Sequence, residues 1–406
     1  MVLSRWTSPA FNTYHLDDGQ RPLRLANGQR LRTNDCFTIA CVKTWDVIVV
    51  GGGIIGLSLS IALRKRGARV LVVERGQPGR EASYAAGGML ADFILETPEA
   101  LQSLATASAK MYPEFVHQLE DESGIEVDLR DAGTLFFPST EQLRNGRGKK
   151  HPLASLGTFP ASLPQLEPAV PDLQGPAIHL QERSVDPRAL TAAALKAAKH
   201  REVDISSGAA VTEVLISDGR ATGVRTQKTT YNASVVVNCA GAWSGELSPQ
   251  PLPTRPVKGQ MLAVLAPHKL LHHVIRSPEV YIIPRSDGRL LIGSTLEDAG
   301  YDKRTDVNTL KRLQQAAARL VPGLREARVL ESWAGLRPGT PDNLPILGAT
   351  TTLGYFVATG HYRDGILLAP VTAYVMAQVM TGGDPGHDLS PFSPQRFQAK
   401  PRPQNC

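Results

Sequence analysis

Residues 46–74 read DVIVVGGGIIGLSLSIALRKRGARVLVVE. The opening DVIVV suits a strand buried on both faces, and it runs straight into a G-x-G-x-x-G turn formed by Gly51, Gly53 and Gly56. Gly51 permits the tight turn, Gly53 lets the backbone approach a pyrophosphate, and Gly56 lets the next helix pack close to the sheet. That helix presents unpaired N–H groups and a positive dipole end to the phosphates. Gly67 suits a left-handed helix cap. A second strand, Val70 to Val73, ends in Glu74, whose carboxylate can accept a ribose hydroxyl. A glycine turn alone also joins ordinary strands and helices. Strand, turn, helix, strand and acid in this order specify a dinucleotide site. FAD and NAD both remain open, whereas Glu74 would repel the 2′-phosphate of NADP.

The chain has 406 residues, enough for two domains. Hydrophobic residues make up 42% and charged residues 20%, which points to a globular protein. No stretch approaches the roughly eighteen consecutive apolar residues of a membrane span. The net charge is +6, but the basic residues are scattered. The local cluster from Arg144 to Lys150 contains Gly146 and Gly148 and reads as a solvated loop rather than a nucleic-acid surface. Cys36, Cys41, Cys239 and Cys406 show neither metal-ligand spacing nor a disulfide framework. Cys239 lies in an apolar strand as a small hydrophobe. This usage fits a reducing cytoplasm, and no secretory signal opens the chain. No metal is expected.

Residues 1–44 carry several turn residues (Pro9, Gly19, Pro22, Gly28) and no clear period. They are expected to be an irregular appendage, the other reading being that translation starts near Val42. The run from Ser83 to Gly88, followed by Met89, suits backbone lying against a flat ligand. Residues 97–124 read as helix and 138–176 as Pro- and Gly-rich loops. Asp186 and Pro187 read as the cap and first position of a helix to about Lys199. A ribbon is expected from Ala210–Ile216 and Ala221–Thr226. Further strands are expected at Ser234–Cys239, Gly259–Leu265, Val280–Pro284, Arg289–Gly293, Arg328–Ala334 and Tyr355–Ala358, with helices at Val307–Leu320 and Gly365–Met380.

Strand–turn–helix units therefore recur near residues 46, 235 and 355, with antiparallel ribbons between them. The fold class is α/β: a discontinuous Rossmann-like dinucleotide domain (45–95, 177–250 and 328–383) with an inserted antiparallel-sheet, α+β substrate domain (96–176 and 251–327). Residues 384–406 read as an irregular tail.

Arg337 and Arg363 sit near strand ends, where guanidinium groups can clamp a carboxylate bidentately; the alternative is two structural ion pairs on loops. Tyr281 could donate a hydrogen bond to a carboxylate or serve as sheet packing. His361 could be a general base or a backbone-bonding residue at a helix start. Trp243 and Trp333 read as packing. No Ser/His/Asp or Cys/His set stands out, so hydrolysis has no support.

The segments GGGIIG (51–56), SYAAGGML (83–90), VVVNCAGAWS (235–244), RPVKGQM (255–261), YIIPR (281–285), LIGST (291–295), WAGLRPGTPDNLPILG (333–348) and TGHYRDGILLAP (359–370) resemble the D-amino-acid-oxidase-like flavoproteins. Within them they look like the glycine oxidases of thiamine biosynthesis, over about residues 45–397. The resemblance implies FAD, bound without a covalent link, and makes the dinucleotide domain FAD-binding. Ile54 and Ile55 would meet the pyrophosphate beside Gly51, Gly53 and Gly56. Glu74 would hold the ribose, with Arg75 beside it. Ala82, Ser83, Gly87, Gly88 and Met89 would lie along the phosphates and flavin, and Val211 by the adenine. His361, Tyr362, Arg363, Asp364, Gly365, Ile366 and Leu367 would wrap the isoalloxazine. Arg337 would grip the substrate carboxylate, assisted by Arg363 and Tyr281, with Leu296 and Met89 lining the pocket.

The same resemblance implies hydride transfer from the α-carbon of a free-base amine to flavin N5, with no side-chain base. Dioxygen would then reoxidise the flavin and yield hydrogen peroxide. The implied substrate is glycine or a small relative such as sarcosine, its imine hydrolysing to an oxo acid and ammonia or passing to thiazole formation. Other readings are a D-amino-acid dehydrogenase passing electrons to a quinone, a sarcosine- or proline-type amine oxidase, a tRNA-modifying oxidase, and a flavin protein without catalysis. The implied partners are the amino acid and dioxygen, with no nucleic acid and with a homo-oligomer, a homotetramer, as the assembly. Residues 138–165 and 1–44 depart from the family pattern.

Overall fold

In the computed structural model the described residues are 44–92, 97–139, 163–171, 177–247, 249–250, 252–266 and 269–397, all within one unit that begins at Thr44. The strand Trp45–Val50 lies at the centre of an eight-stranded sheet. It pairs in parallel with Val70–Glu74 on one side and Thr230–Asn238 on the other. The parallel run continues to Asp204–Ser207 at one edge and to Tyr355–Thr359, beyond which Ile346–Ala349 is antiparallel. Register is level at the carboxyl ends: Val50 stands opposite Val73 and Asn238, and Asn238 opposite Val357. Gly51, Glu74, Cys239 and Gly360 therefore come together along one rim, the place where open α/β sheets bind ligands.

Four helices cover one face of this sheet: Ile54–Lys65, Gln102–Ser123, Pro187–His200 and Ala369–Met380. Their apolar faces share a core with the central strands, including Leu57, Leu104, Leu190 and Val375. The other face is covered by the ribbon Val211–Ser217 and Arg220–Thr226, which turns through Asp218 and Gly219 at φ 49° and 73°. Both turn residues lie in the left-handed region that hairpin turns favour. Asp186 caps its helix as expected, accepting from Arg188 N at 2.8 Å and Ala189 N at 3.3 Å.

A second, seven-stranded sheet runs in the order Arg328–Gly339, Arg255–Leu265, Arg289–Gly293, Tyr281–Pro284, Val274–Arg276, Thr134–Phe136, Ile178–Leu180. Its pairs are antiparallel except Val274–Arg276 with Thr134–Phe136. The helix Val307–Leu320, capped by Asp306, packs on one face. The α/β class with its added antiparallel sheet is thus observed.

Three expectations need correction. The strand expected at Arg328–Ala334 continues to Gly339 and is the edge of the seven-stranded sheet, paired throughout with Arg255–Leu265; it does not belong with the parallel sheet. The last long helix starts at Ala369, not Gly365, because residues 364–368 form turns first. The tail is docked as far as Phe397: Phe392 is buried, and Arg396 binds Asp342 at 2.8 Å. Most of the loop region 138–176, and residues 1–43 with Cys36 and Cys41, lie outside the described residues. Among the described residues no helix is long and apolar enough to cross a membrane, and no three His, Cys, Asp or Glu side chains gather as a metal site would need.

Candidate active site

The rim of the parallel sheet opens into a cavity of about 350 Å³, whose walls run from Glu74 to Arg337. Its floor is the glycine turn. Gly51 has φ +108°, and a Cβ there would stand 2.5 Å from Cys239 O. A Cβ on Gly56 would stand 2.0 Å from Gly51 O, so Gly56 sits under the turn rather than in the cavity. Glu74 is buried, and its carboxylate accepts from Gly52 N and Gly76 N, both at 2.8 Å. The acid therefore staples the turn as well as facing the cavity. Ser83 Oγ accepts from Ile54 N at 3.0 Å, at the helix opening.

At the far end stands Arg337. It lies inside the edge strand, opposite Val257, and its guanidinium packs over Gly259, where a Cβ would stand 2.3 Å from Nη1. Nη2 donates to Ser294 Oγ at 2.6 Å and Nη1 to Thr295 O at 3.1 Å. Arg363 is exposed at the cavity wall. Among the described residues neither arginine has an acidic partner, so the ion-pair alternative finds no partner here. One backbone bond ties their segments together, Tyr362 N to Pro338 O at 3.0 Å. The Tyr281 ring lies against Gly293, whose Cβ would stand 2.9 Å from it. Its hydroxyl points to Met261 Sδ at 3.6 Å and leaves room for a stronger acceptor.

His361 lines the cavity but is buried, and its Nε2 lies 3.1 Å from Thr372 Oγ1. Burial pushes its pKa down to about 3. The ring is neutral above that pH and is engaged by a side chain of the following helix, which argues against a general base. Burial also pushes the Cys239 thiol above its usual range, so it is no thiolate.

A family model described as FAD dependent oxidoreductase matches residues 46–379. The chain belongs to that family. A bifunctional ThiO/ThiG protein of Trichormus variabilis is 36% identical over 364 residues, covering 87% of this chain and 55% of that protein. This chain thus spans about half the length of the first of its curated relatives. A glycine oxidase of Pseudomonas putida is 34% identical over 363 residues, covering 86% of this chain and 98% of that one. The crystal structure of glycine oxidase from Geobacillus kaustophilus superposes with a TM-score of 0.82 at 31% identity, covering 88% of this chain and all of the other.

As a member of this family the chain is an FAD-dependent oxidoreductase, and the residues present fit FAD. A Cβ on Gly53 would meet only Ser83 Oγ, at 3.3 Å, so the helix opening offers bare backbone to a pyrophosphate. Each Glu74 oxygen keeps acceptor capacity beyond its backbone bond. Arg75, Ala82, Gly87, Gly88, Met89 and Val211 all line the same cavity.

Four residues do not reach the wall as expected. Leu296 is 59% exposed and lies outside the lining, because the chain turns at Ser294 and Thr295 to back Arg337. Asp364 is taken up by turns, its N–H donating to His361 O at 2.9 Å. Leu367 is buried in the helix core, with its carbonyl accepting from Ser108 Oγ at 2.6 Å. Gly56 serves packing. Conversely, Trp243 is more than packing: it lines the cavity with the Arg75 guanidinium 3.4 Å from its ring centroid and Tyr301 stacked at 5.3 Å. Gly259 and Ser294 were also missed. Gly259 lies under the guanidinium and Ser294 accepts from it, contacts that form only once the sheet has assembled.

Proposed function

We propose that this oxidoreductase oxidises the amine of glycine and similarly small amino acids. The observation that carries this reading is Arg337, a guanidinium without an acidic partner among the described residues, backed by Ser294 and Thr295 and turned to the cavity. Arg337 binds the substrate carboxylate with its remaining N–H groups, and a planar fork suits that bidentate contact. Arg363 and Tyr281 add a second cation and a hydroxyl donor from the facing walls. Met89, Met261 and the Tyr281 ring bound the space beyond the α-carbon and favour a short side chain. Held along Gly51, Gly53, Ile54, Ile55, Glu74 and Ser83, FAD would supply the acceptor for the α-hydrogen as hydride, with dioxygen as terminal acceptor. The buried, neutral His361 is engaged by Thr372, which supports an amine that enters as the free base. The chain's task is then orientation and exclusion of water. The products are an imine, which water converts to an oxo acid and ammonia, and hydrogen peroxide.

FAD would be held without a covalent bond: the Cys239 thiol lines the cavity, but burial keeps it protonated and so a poor nucleophile. We further propose a role in feeding thiazole formation for thiamine and a homo-oligomer acting in the cytoplasm, as the resemblance of the sequence motifs implies. Anaerobic mixing with a panel of small amino acids tests the reading. Glycine or sarcosine should bleach the flavin absorbance, and air should restore it with peroxide. Bleaching without peroxide formation in air would favour a dehydrogenase, and no bleaching by any amino acid would remove the proposal.

A further inference from the structure

Arg285 closes the YIIPR run and takes no part in the carboxylate grip. The hairpin that follows fixes it: its N–H donates to Arg289 O at 2.9 Å and its carbonyl accepts from Gly288 N at 3.1 Å. The residue is 4% exposed. Nη2 donates to Gly87 O at 2.6 Å, while Nη1 has no hydrogen-bond partner. Among the described residues it has no ion-pair partner either. Three carboxylates, Asp186, Asp128 and Asp287, act on it without touching it and are committed elsewhere, Asp287 to Arg289 at 2.7 Å. Asp186 caps its helix and pairs with Arg289 at 3.5 Å, and Asp128 accepts from Ser286 N at 2.9 Å and Oγ at 2.6 Å. Burial lowers the Arg285 pKa to about 10, so the group is still charged at neutral pH.

Gly87 and Gly88 line the cavity, and a Cβ on Gly88 would stand 3.2 Å from Arg285 Nη2. The guanidinium thus lies directly behind the Gly87–Gly88 backbone. A desolvated cation without a direct ion-pair partner among the described residues is costly. The cavity is where compensating charge arrives, because a hydride brings two electrons and one proton and so adds one negative charge to its acceptor.

We propose that Arg285 is a positioning residue for cofactor reduction: from behind the Gly87–Gly88 wall its charge stabilises the negative charge that the bound flavin takes up, and so raises its reduction potential. The fixed charge needs no reorganisation at the moment of transfer, and such tuning of a cofactor is the protein's part of the chemistry. The inference rests on the cavity being the flavin site.

The test uses FAD-loaded protein. Arg285→Met removes the charge, Arg285→Gln removes it but keeps an N–H for Gly87 O, and Arg285→Lys keeps the charge. The midpoint potential is read by equilibrium reduction against a reference dye, and sulfite affinity by loss of flavin absorbance. The Met and Gln variants should be about tenfold harder to reduce, about 30 mV for a two-electron couple, with sulfite bound about tenfold more weakly. The Lys variant should stay near wild type on both. A Met or Gln variant that holds FAD at the wild-type potential overturns the proposal. If both lose FAD, the Lys variant decides: a wild-type potential supports the role of charge, and one about 30 mV lower overturns it. Wild-type protein that takes up no FAD would overturn the cavity assignment and this inference together.

Discussion

Ser294 and Thr295 occupy two of the donors of Arg337 and leave the rest of its fork free. Hydrogen bonds to charged groups contribute about 1.5–3 kcal/mol each. Arg337→Ala should therefore raise the KM for glycine at least about tenfold while FAD stays bound, as steady-state oxygen uptake and the flavin spectrum would report. Arg337→Lys should recover little of this, since an ammonium lacks the fork. Gly259→Ala should mimic the loss, because its Cβ would stand 2.3 Å from the guanidinium; unchanged glycine kinetics in that variant would contradict the packing described. At His361 the consequence concerns pH. Its folded pKa, about 3, lies below the ordinary imidazole value of 6.5. The unfolded chain takes up the proton first, so this contribution to stability is complete above pH 6.5 and declines as pH falls towards 3. The slope is about 1.4 kcal/mol per pH unit, or about 2 kcal/mol by pH 5. Denaturant melts at pH 5 and 7 should show a smaller loss for His361→Asn than for the native chain.

The glycine turn and Glu74 act as one element. Glu74→Gln leaves one oxygen to serve two backbone N–H donors, Gly52 and Gly76. It should lower the melting temperature and weaken FAD binding at least about tenfold, by titration of apoprotein with flavin fluorescence. This element was legible because every part of it is local: the turn, its helix and the acid follow within a single crossover. The strand carrying Arg337 was less so. The expected strand stopped at Ala334, before the Gly335–Gly339 run, yet pairing continues to Gly339; Pro338 lies opposite Pro256 on the edge strand of the sheet, where a missing N–H is tolerated. The start of the last helix was misplaced for a related reason. GHYRDG reads as a helix entry, but Asp364 and Gly365 are spent on turns that set Tyr362 at φ 48° and bring Arg363 to the wall. Trp243 was read as packing because nothing near it in sequence announces Arg75, which reaches it only after the sheet has formed.

On the scale of the whole molecule, recurring strand–turn–helix units announced the parallel sheet, but the order of its strands and the partner sheet came from long-range pairing that no local pattern encodes. The cavity draws its walls from both sheets, so occupying it should stabilise the entire fold. FAD at a hundred times its Kd should add about 2.7 kcal/mol and raise the melting temperature in proportion to the logarithm of its concentration. Acid precipitation should leave the yellow colour in solution; flavin carried down with the protein would contradict non-covalent binding. The backbone hydrogen bond from Tyr362 N to Pro338 O has a consequence of its own. It makes the spacing between Arg337 and Arg363 a property of the frame, like the gap of a fixed caliper, and insulates it from changes at Met89, Met261 and Tyr281. On the proposed reading, substitutions at those residues would change which amine fits while the two guanidinium jaws keep their gap.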